Sequence, residues 1–102
     1  MPVDVIVIYG PPADPAAFDR HYEDVHVPLA KAMPNLIGFE ITRGPVAAQN
    51  GPGAHLIARL RYPSVADLEA ALSSPEGVAA VDDLGNFADG GVTLYTAEVV
   101  DA

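Results

Sequence analysis

The sequence predicts an α+β fold of pattern βαββαβ: a four-stranded antiparallel sheet with its helices on one face. Three observations carry that prediction. Four short segments show the β-branched or alternating apolar pattern of strands. Two cap-and-proline pairs, Asp14-Pro15 and Ser74-Pro75, open helical stretches. The elements follow one another as strand, helix, strand, strand, helix, strand.

The first strand is VDVIVIY, Val3 to Tyr9, stopped by the turn cluster GPPADP. Val3, Val5, Val7 and Tyr9 fall on one face and Ile6 and Ile8 on the other, so both sides of it need cover. Asp14 caps a helix that runs through AAFDRHYEDVH towards Pro34-Asn35. At 100° per residue Phe18, Tyr22, Val25, Leu29 and Met33 share a stripe about 80° wide, which packs on the sheet. Within it, Pro28 lacks an N–H for the Asp24 carbonyl and disfavours helical geometry at Val27, which predicts a kink or restart just after His26.

LIGFEITR, Leu36 to Arg43, reads as the second strand, and Gly44 to Gly53 as a loop rich in turn formers. Its GPG is no phosphate cradle, because no strand-turn-helix context or lysine accompanies it. AHLIARLRY, Ala54 to Tyr62, alternates: Leu56, Ala58, Leu60 and Tyr62 face one way, His55, Ile57, Arg59 and Arg61 the other. Ser64 caps VADLEAALSS, Ser74 starts the helix EGVAAVDDLGNF, and GVTLYTAEVV, Gly91 to Val100, is the fourth strand. This order is the split βαβ, or ferredoxin-like, arrangement.

One such domain accounts for residues 1–102. Half of the residues are hydrophobic, an apolar composition for so short a chain, and the helix-free face of the sheet must hold some of them. Burial against the same face of a second chain resolves the surplus, so the expected assembly is a homodimer with two sheets enclosing a space. The formal charge of −9 repels phosphate backbones and anionic lipid, which excludes nucleic acid and membrane surfaces as partners. With no cysteine, disulfides, thiolate metal sites and a cysteine nucleophile are excluded. The N-terminal apolar run has no basic segment before it and is broken by Asp4, so the chain reads as soluble and cytoplasmic.

His26 sits at the edge of the apolar stripe, one turn after Tyr22, where a ring with an ordinary pKa of ~6.5 can shuttle protons in a site without metal. A core-edge histidine bonded to backbone is the competing reading. His21 lies about 140° around a regular helix from His26, so the two cannot share a metal, and His21 reads as a surface or interface residue. Tyr22 and Tyr9 are candidates to orient a carbonyl or enolate, Tyr22 the better placed and Tyr9 more a core residue. His55, Arg59, Arg61, Glu40, Thr42 and Glu98 form either a polar barrel interior or a solvated row. No Ser-His-Asp triad is present, and Asp82 and Asp83 point in different directions, which is wrong for shared acid/base work.

FDRHYEDVHVPLAKAMPNLIGFEI, with its H-x-P-L element, and SSPEGVAAVDDLGNFADGGVTLY together resemble the EthD-type branch of the dimeric α+β barrel superfamily, over nearly the whole chain. The resemblance implies a homodimer with a small-molecule pocket between each sheet and its own helices, and no metal or organic cofactor. It implies no single reaction: relatives on the fold include lactone isomerases, polyketide cyclases and cofactor-free monooxygenases. His26 matches the family histidine, a pocket residue in the lactone methyl-isomerases. Phe39 stands where those isomerases carry tyrosine. Phe18, Leu29, Met33, Phe39 and Tyr9 are then the expected substrate-binding residues, with His26 and Tyr22 the catalytic ones. Three functions follow as alternatives. One is a cofactor-free isomerase, cyclase or lyase working by proton transfer on a small apolar carbonyl compound of degradative or secondary metabolism. The second is an accessory protein holding a hydrophobic metabolite for a partner oxygenase. The third is cofactor-free or haem-linked oxygen chemistry.

Overall fold

The computed structural model describes residues 1–102. Its elements are β1 (Val3–Tyr9), α1 (Pro15–His21), a π turn (Tyr22–His26), α2 (Val27–Lys31), β2 (Gly38–Ile41), β3 (Leu56–Tyr62), α3 (Val65–Ser73), α4 (Pro75–Phe87) and β4 (Val92–Glu98). The strands form one antiparallel sheet in the order β2-β3-β1-β4, the ferredoxin-like topology. No helix is long and apolar enough to cross a membrane.

Register fixes the two faces, because residues directly opposite one another share a side. Val3, Val5, Val7 and Tyr9 of β1 lie opposite Tyr62, Leu60, Ala58 and Leu56 of β3. These residues, with Phe18, Tyr22, Met33, Leu68 and Phe87 from the helices, make the core. The other face carries Ile6 and Ile8 with Ile57, and Tyr95 of β4, which is exposed.

That face also holds an ion-pair group centred on the buried Asp4. Asp4 accepts from Arg61 Nε at 2.7 Å and Nη2 at 3.1 Å, and from Arg59 Nη1 at 3.2 Å. Arg59 bridges on to Glu40. The Arg61 bond is the main reason the Asp4 carboxyl lies below its ordinary range. The polar row is thus shorter than the sequence predicts. Glu98 lies opposite Val3, on the helix side. His55 bonds Asp19 at 2.7 Å and packs edge-on against Phe18, while Thr42 Oγ accepts the Ile57 N–H.

β2 is half its predicted length, because Asn35 takes a left-handed turn (φ 67°) and the chain leaves β3 after Thr42. The helical stripe also departs from expectation. Val25 is exposed and His26 buried, because the π turn inserts an extra residue: Val27 N–H bonds the Tyr22 carbonyl five positions back. Pro28 supplies a cause, since a continued α register would press its ring on the Asp24 carbonyl with no N–H to give. Beyond the bulge the buried positions are Ala30 and Met33, and Leu29 is only half-buried.

Ser74 ends α3 and starts α4. Its hydroxyl donates to the Ala71 carbonyl at 2.6 Å and accepts the Gly77 N–H at 3.0 Å. Gly77 is required for that junction, as a Cβ there would stand 2.0 Å from the Ala71 oxygen. Gly77→Ala is expected to cost about 1–3 kcal/mol through the forced backbone shift, read as a lower urea midpoint at unchanged m-value.

Candidate functional site

The π turn widens the helix by its i→i+5 bond, and His21 and His26 stand five positions apart. The two rings therefore emerge on one side of the helix, where both meet Asp83 of α4. His21 Nε2 lies 2.9 and 3.1 Å from the two Asp83 oxygens, and His26 Nδ1 lies 3.0 Å from Oδ2. Asn86 Nδ2 donates to Oδ1 at 3.0 Å. The carboxylate is thereby bonded by three side chains. His21, expected as a surface or interface residue set apart from His26, is partly exposed but shares Asp83 with His26, because the helix is not regular there.

An ionised carboxylate accepts only, so His26 carries its proton on Nδ1 and keeps Nε2 as an acceptor. Nε2 points to the hydroxyl of Tyr9, 3.5 Å away at the far end of hydrogen-bond range. Burial pushes the His26 ring below its ordinary pKa; the Asp83 bond and charge oppose that, and His21 adds to the lowering. For Asp83, burial raises the carboxyl, but bonds from Asn86, His21 and His26 outweigh it and leave it below its usual range. Burial raises both phenols, Tyr22 to about 12, so each is a neutral donor at neutral pH.

Both His26 and Asp83 favour the folded state at higher pH. A histidine with a lowered folded pKa binds its proton more readily when unfolded, so its stabilising effect is full above about pH 6.5 and is lost as the pH falls below that. Asp83, also lowered, loses its contribution as the pH falls from about 3.8 through its folded value. Urea midpoints are expected to drop between pH 7.5 and 5, with a smaller drop in His26→Gln; equal slopes in both proteins would contradict this.

His26 lines a cavity of about 70 Å³ between the sheet and the helices and is the one residue of its lining that is not hydrophobic. Tyr9, Tyr22, Met33, Phe39 and Tyr62 contribute to its wall. It reaches the surface beside α3, α4 and β4, where Leu72, Val81 and Leu94 are 43, 48 and 50% exposed. Among the expected substrate-binding residues, Tyr9, Met33 and Phe39 line this cavity and Phe18 and Leu29 do not. Phe18 is spent in an aromatic cluster, stacked on Tyr22 and edge-on to Tyr9 and Phe87. Leu29 is half-buried and packs against the core away from the cavity. Tyr9, not Tyr22, brings its hydroxyl to His26.

A second, wider groove between the π turn and the β2–β3 loop has a mixed polar and apolar lining, with His55 and Asp19 paired at 2.7 Å among its residues. No group of three His, Cys, Asp or Glu side chains is arranged to hold a metal ion. The residues that pattern reasoning passed over are His21, Asp83 and Phe87. One signal was available: Asp83 falls among Ala80, Leu84 and Phe87 on the apolar side of α4, where a lone carboxylate needs a partner.

The EthD domain model matches residues 10–91. An uncharacterized 11.0 kDa protein from the thcB-thcC intergenic region of Rhodococcus erythropolis is 44% identical over 95 residues, covering 92% of each chain. The crystal structure of an EthD family protein from Bacillus halodurans superimposes with a TM-score of 0.88 at 31% identity, covering 98% of this chain and 100% of that one. Two more distant structures share the fold. A dimeric ferredoxin-like protein of unknown function from Thermobifida fusca has a TM-score of 0.73 at 11% identity, covering 97% and 92%. SnoaB, a cofactor-independent oxygenase from Streptomyces nogalater, has 0.62 at 15%, covering 97% and 95%.

Proposed function

The chain belongs to the EthD family, and from that premise we propose that it binds a small, largely apolar carbonyl compound in the cavity at His26 and moves a proton on it without a cofactor. The observation that carries this reading is the pairing of a buried Asp83–His26 dyad with an apolar cavity: one imidazole nitrogen is anchored on Asp83, and the other meets only the Tyr9 hydroxyl, at 3.5 Å. In the proposed step a C–H bond next to the carbonyl breaks, its proton goes to His26 Nε2, and the electron pair moves onto the carbonyl oxygen. The Tyr9 or Tyr22 hydroxyl donates to that oxygen. Asp83 stabilises the imidazolium, which returns the proton to another carbon of the conjugated anion in an isomerisation. In a cyclisation the carbanion instead attacks a second carbonyl of the same molecule and the new alkoxide takes the proton. In a lyase step a group on the neighbouring carbon departs with its bonding pair and takes the proton. General acid–base catalysis of this kind supplies about 10²–10⁴-fold.

The test is a ligand-observed NMR screen of small ketones, lactones and quinones, followed by turnover assays on the binders. Turnover should vanish in His26→Ala. Undiminished turnover in that variant would end the assignment.

A second reading, favoured by the absence of a hydroxyl at Phe39, is an accessory protein that holds a hydrophobic metabolite for a partner oxygenase. It is distinguished by ligand affinity with no turnover, together with a faster oxygenase when the protein is added.

We further propose a homodimer. Ile6, Ile8 and Ile57 on the helix-free face and exposed Tyr95 beside them give a surface for a second sheet, and dimeric relatives on this fold support it. Light scattering should give twice the 10.6 kDa chain mass at micromolar concentration; a monomer would overturn it.

A further inference from the structure

We propose that His21 is a positioning residue of the same site: it locks the Asp83 carboxylate against His26 and couples the charge of its own solvent-facing ring to the proton affinity of the buried one. The inference rests on the reading of His26 as the proton-transfer group for its functional meaning, but its physical content is independent of any substrate.

Geometry carries the argument. The His21 side chain is 28% exposed, whereas His26 and Asp83 are 9% and 5% exposed, so the three form a line from solvent to cavity. Both oxygens of Asp83 are engaged, Oδ2 by His26 and Oδ1 by His21 and Asn86, and the carboxylate cannot turn away without losing one of these bonds. Phe87 holds both rings, its centroid 4.9 Å from each, with His21 stacked on it at 23°. The π turn brings the histidines to one side, and in a regular helix the contact would not exist.

The charge logic follows from sharing one anion. When His21 is protonated, it takes up much of the attraction Asp83 offers, and a second imidazolium at His26 gains less. When His21 is neutral, Asp83 is free to stabilise a proton arriving on His26. The other polar groups at the pair are Tyr9 from β1 and Tyr22 from the same turn, both neutral, and the uncharged amide of Asn86 on Asp83, so His21 is the one side chain bonded to Asp83, besides His26, that can carry a positive charge. A proton-transfer group inside an apolar cavity would in this way be tuned from outside it.

The test follows the side-chain ¹⁵N signals of His26 through a pH titration of the whole protein. His21→Asn keeps a donor to Asp83 but removes the cation, and the His26 midpoint is expected to rise. His21→Lys keeps a fixed cation, and the midpoint is expected to fall below that of the unmodified protein. In an Asp83→Asn background the difference between these two variants should shrink, because the shared anion is gone. An unchanged midpoint in both variants, or a shift in the same direction in both, would overturn the proposal and mark His21 as a packing residue. The titration needs no substrate, so its failure is separable from that of the proposed function. If the order holds but His26→Ala retains turnover, the coupling stands and the functional reading falls.

Discussion

Replacing Asp83 with asparagine is expected to lower turnover on any carbonyl substrate of this protein by roughly 10³–10⁴-fold, while the fold survives. The amide has the size of the carboxylate, and α4 is capped by Ser74 far from the change, so helix formation is unaffected. What changes is the hydrogen-bond sense. Asp83 Oδ2 accepts from His26 Nδ1–H at 3.0 Å and so leaves Nε2 unprotonated toward the cavity. An amide that presents its N–H₂ to Nδ1 reverses this, placing the proton on Nε2 and the lone pair where no substrate reaches. The imidazolium formed in the reaction also loses its counter-charge. The ¹⁵N shifts of His26 report the tautomer directly, and kinetics report the rate. A loss of only a few-fold, with the tautomer reversed, would show that His26 Nε2 does not take the proton.

Replacing Phe87 with alanine is expected to remove about 3–5 kcal/mol of stability, a large part of the 5–15 kcal/mol typical of a domain. Phe87 closes the last turn of α4 and has five aromatic neighbours, Tyr9, Phe18, His21, Tyr22 and His26, all with centroids within 5.9 Å. Deleting the ring removes its buried area and leaves a void that the surrounding rigid rings cannot collapse to fill. The void also adjoins the dyad, so His26 should lose its fixed orientation and its signals should broaden. Phe87→Leu retains most of the volume and is expected to keep most of the stability. Urea unfolding of both variants measures the difference, and a cost below about 1 kcal/mol for alanine would contradict the packing account.

Much of this architecture was legible because it rests on local rules. β1 ends at Tyr9 as its β-branched run does, and Asp14 and Ser74 cap helices with Pro15 and Pro75 behind them. The alternation of β3 gave both faces of that strand. The strand order and the shared face of the helices followed from the sequence of elements. The site was legible only in part. Pro28 announced an irregularity after His26, but its form, a widened turn, is a compromise among backbone bonds, ring sterics and core packing that spacing alone does not specify. With that turn unknown, a 100° wheel placed Val25 inside and separated His21 from His26. Asp83 lies 57 residues beyond His26, a distance at which no periodicity pairs them. Tyr9 was read as core, which it is, yet the tip of a buried tyrosine still needs a polar partner, and that partner proved to be the site histidine.

The most direct test of the central idea, that His26 Nε2 is the proton acceptor of an apolar cavity, is exchange of the α-protons of cyclopentanone in D₂O, followed by NMR. Cyclopentanone is compact and apolar and carries acidic C–H groups beside a carbonyl, so it reports proton abstraction without the natural substrate. The account predicts exchange faster than buffer alone with the unmodified protein, and a return to the buffer rate with His26→Gln. Equal exchange in the two proteins, or a rate indistinguishable from buffer in both, would contradict it.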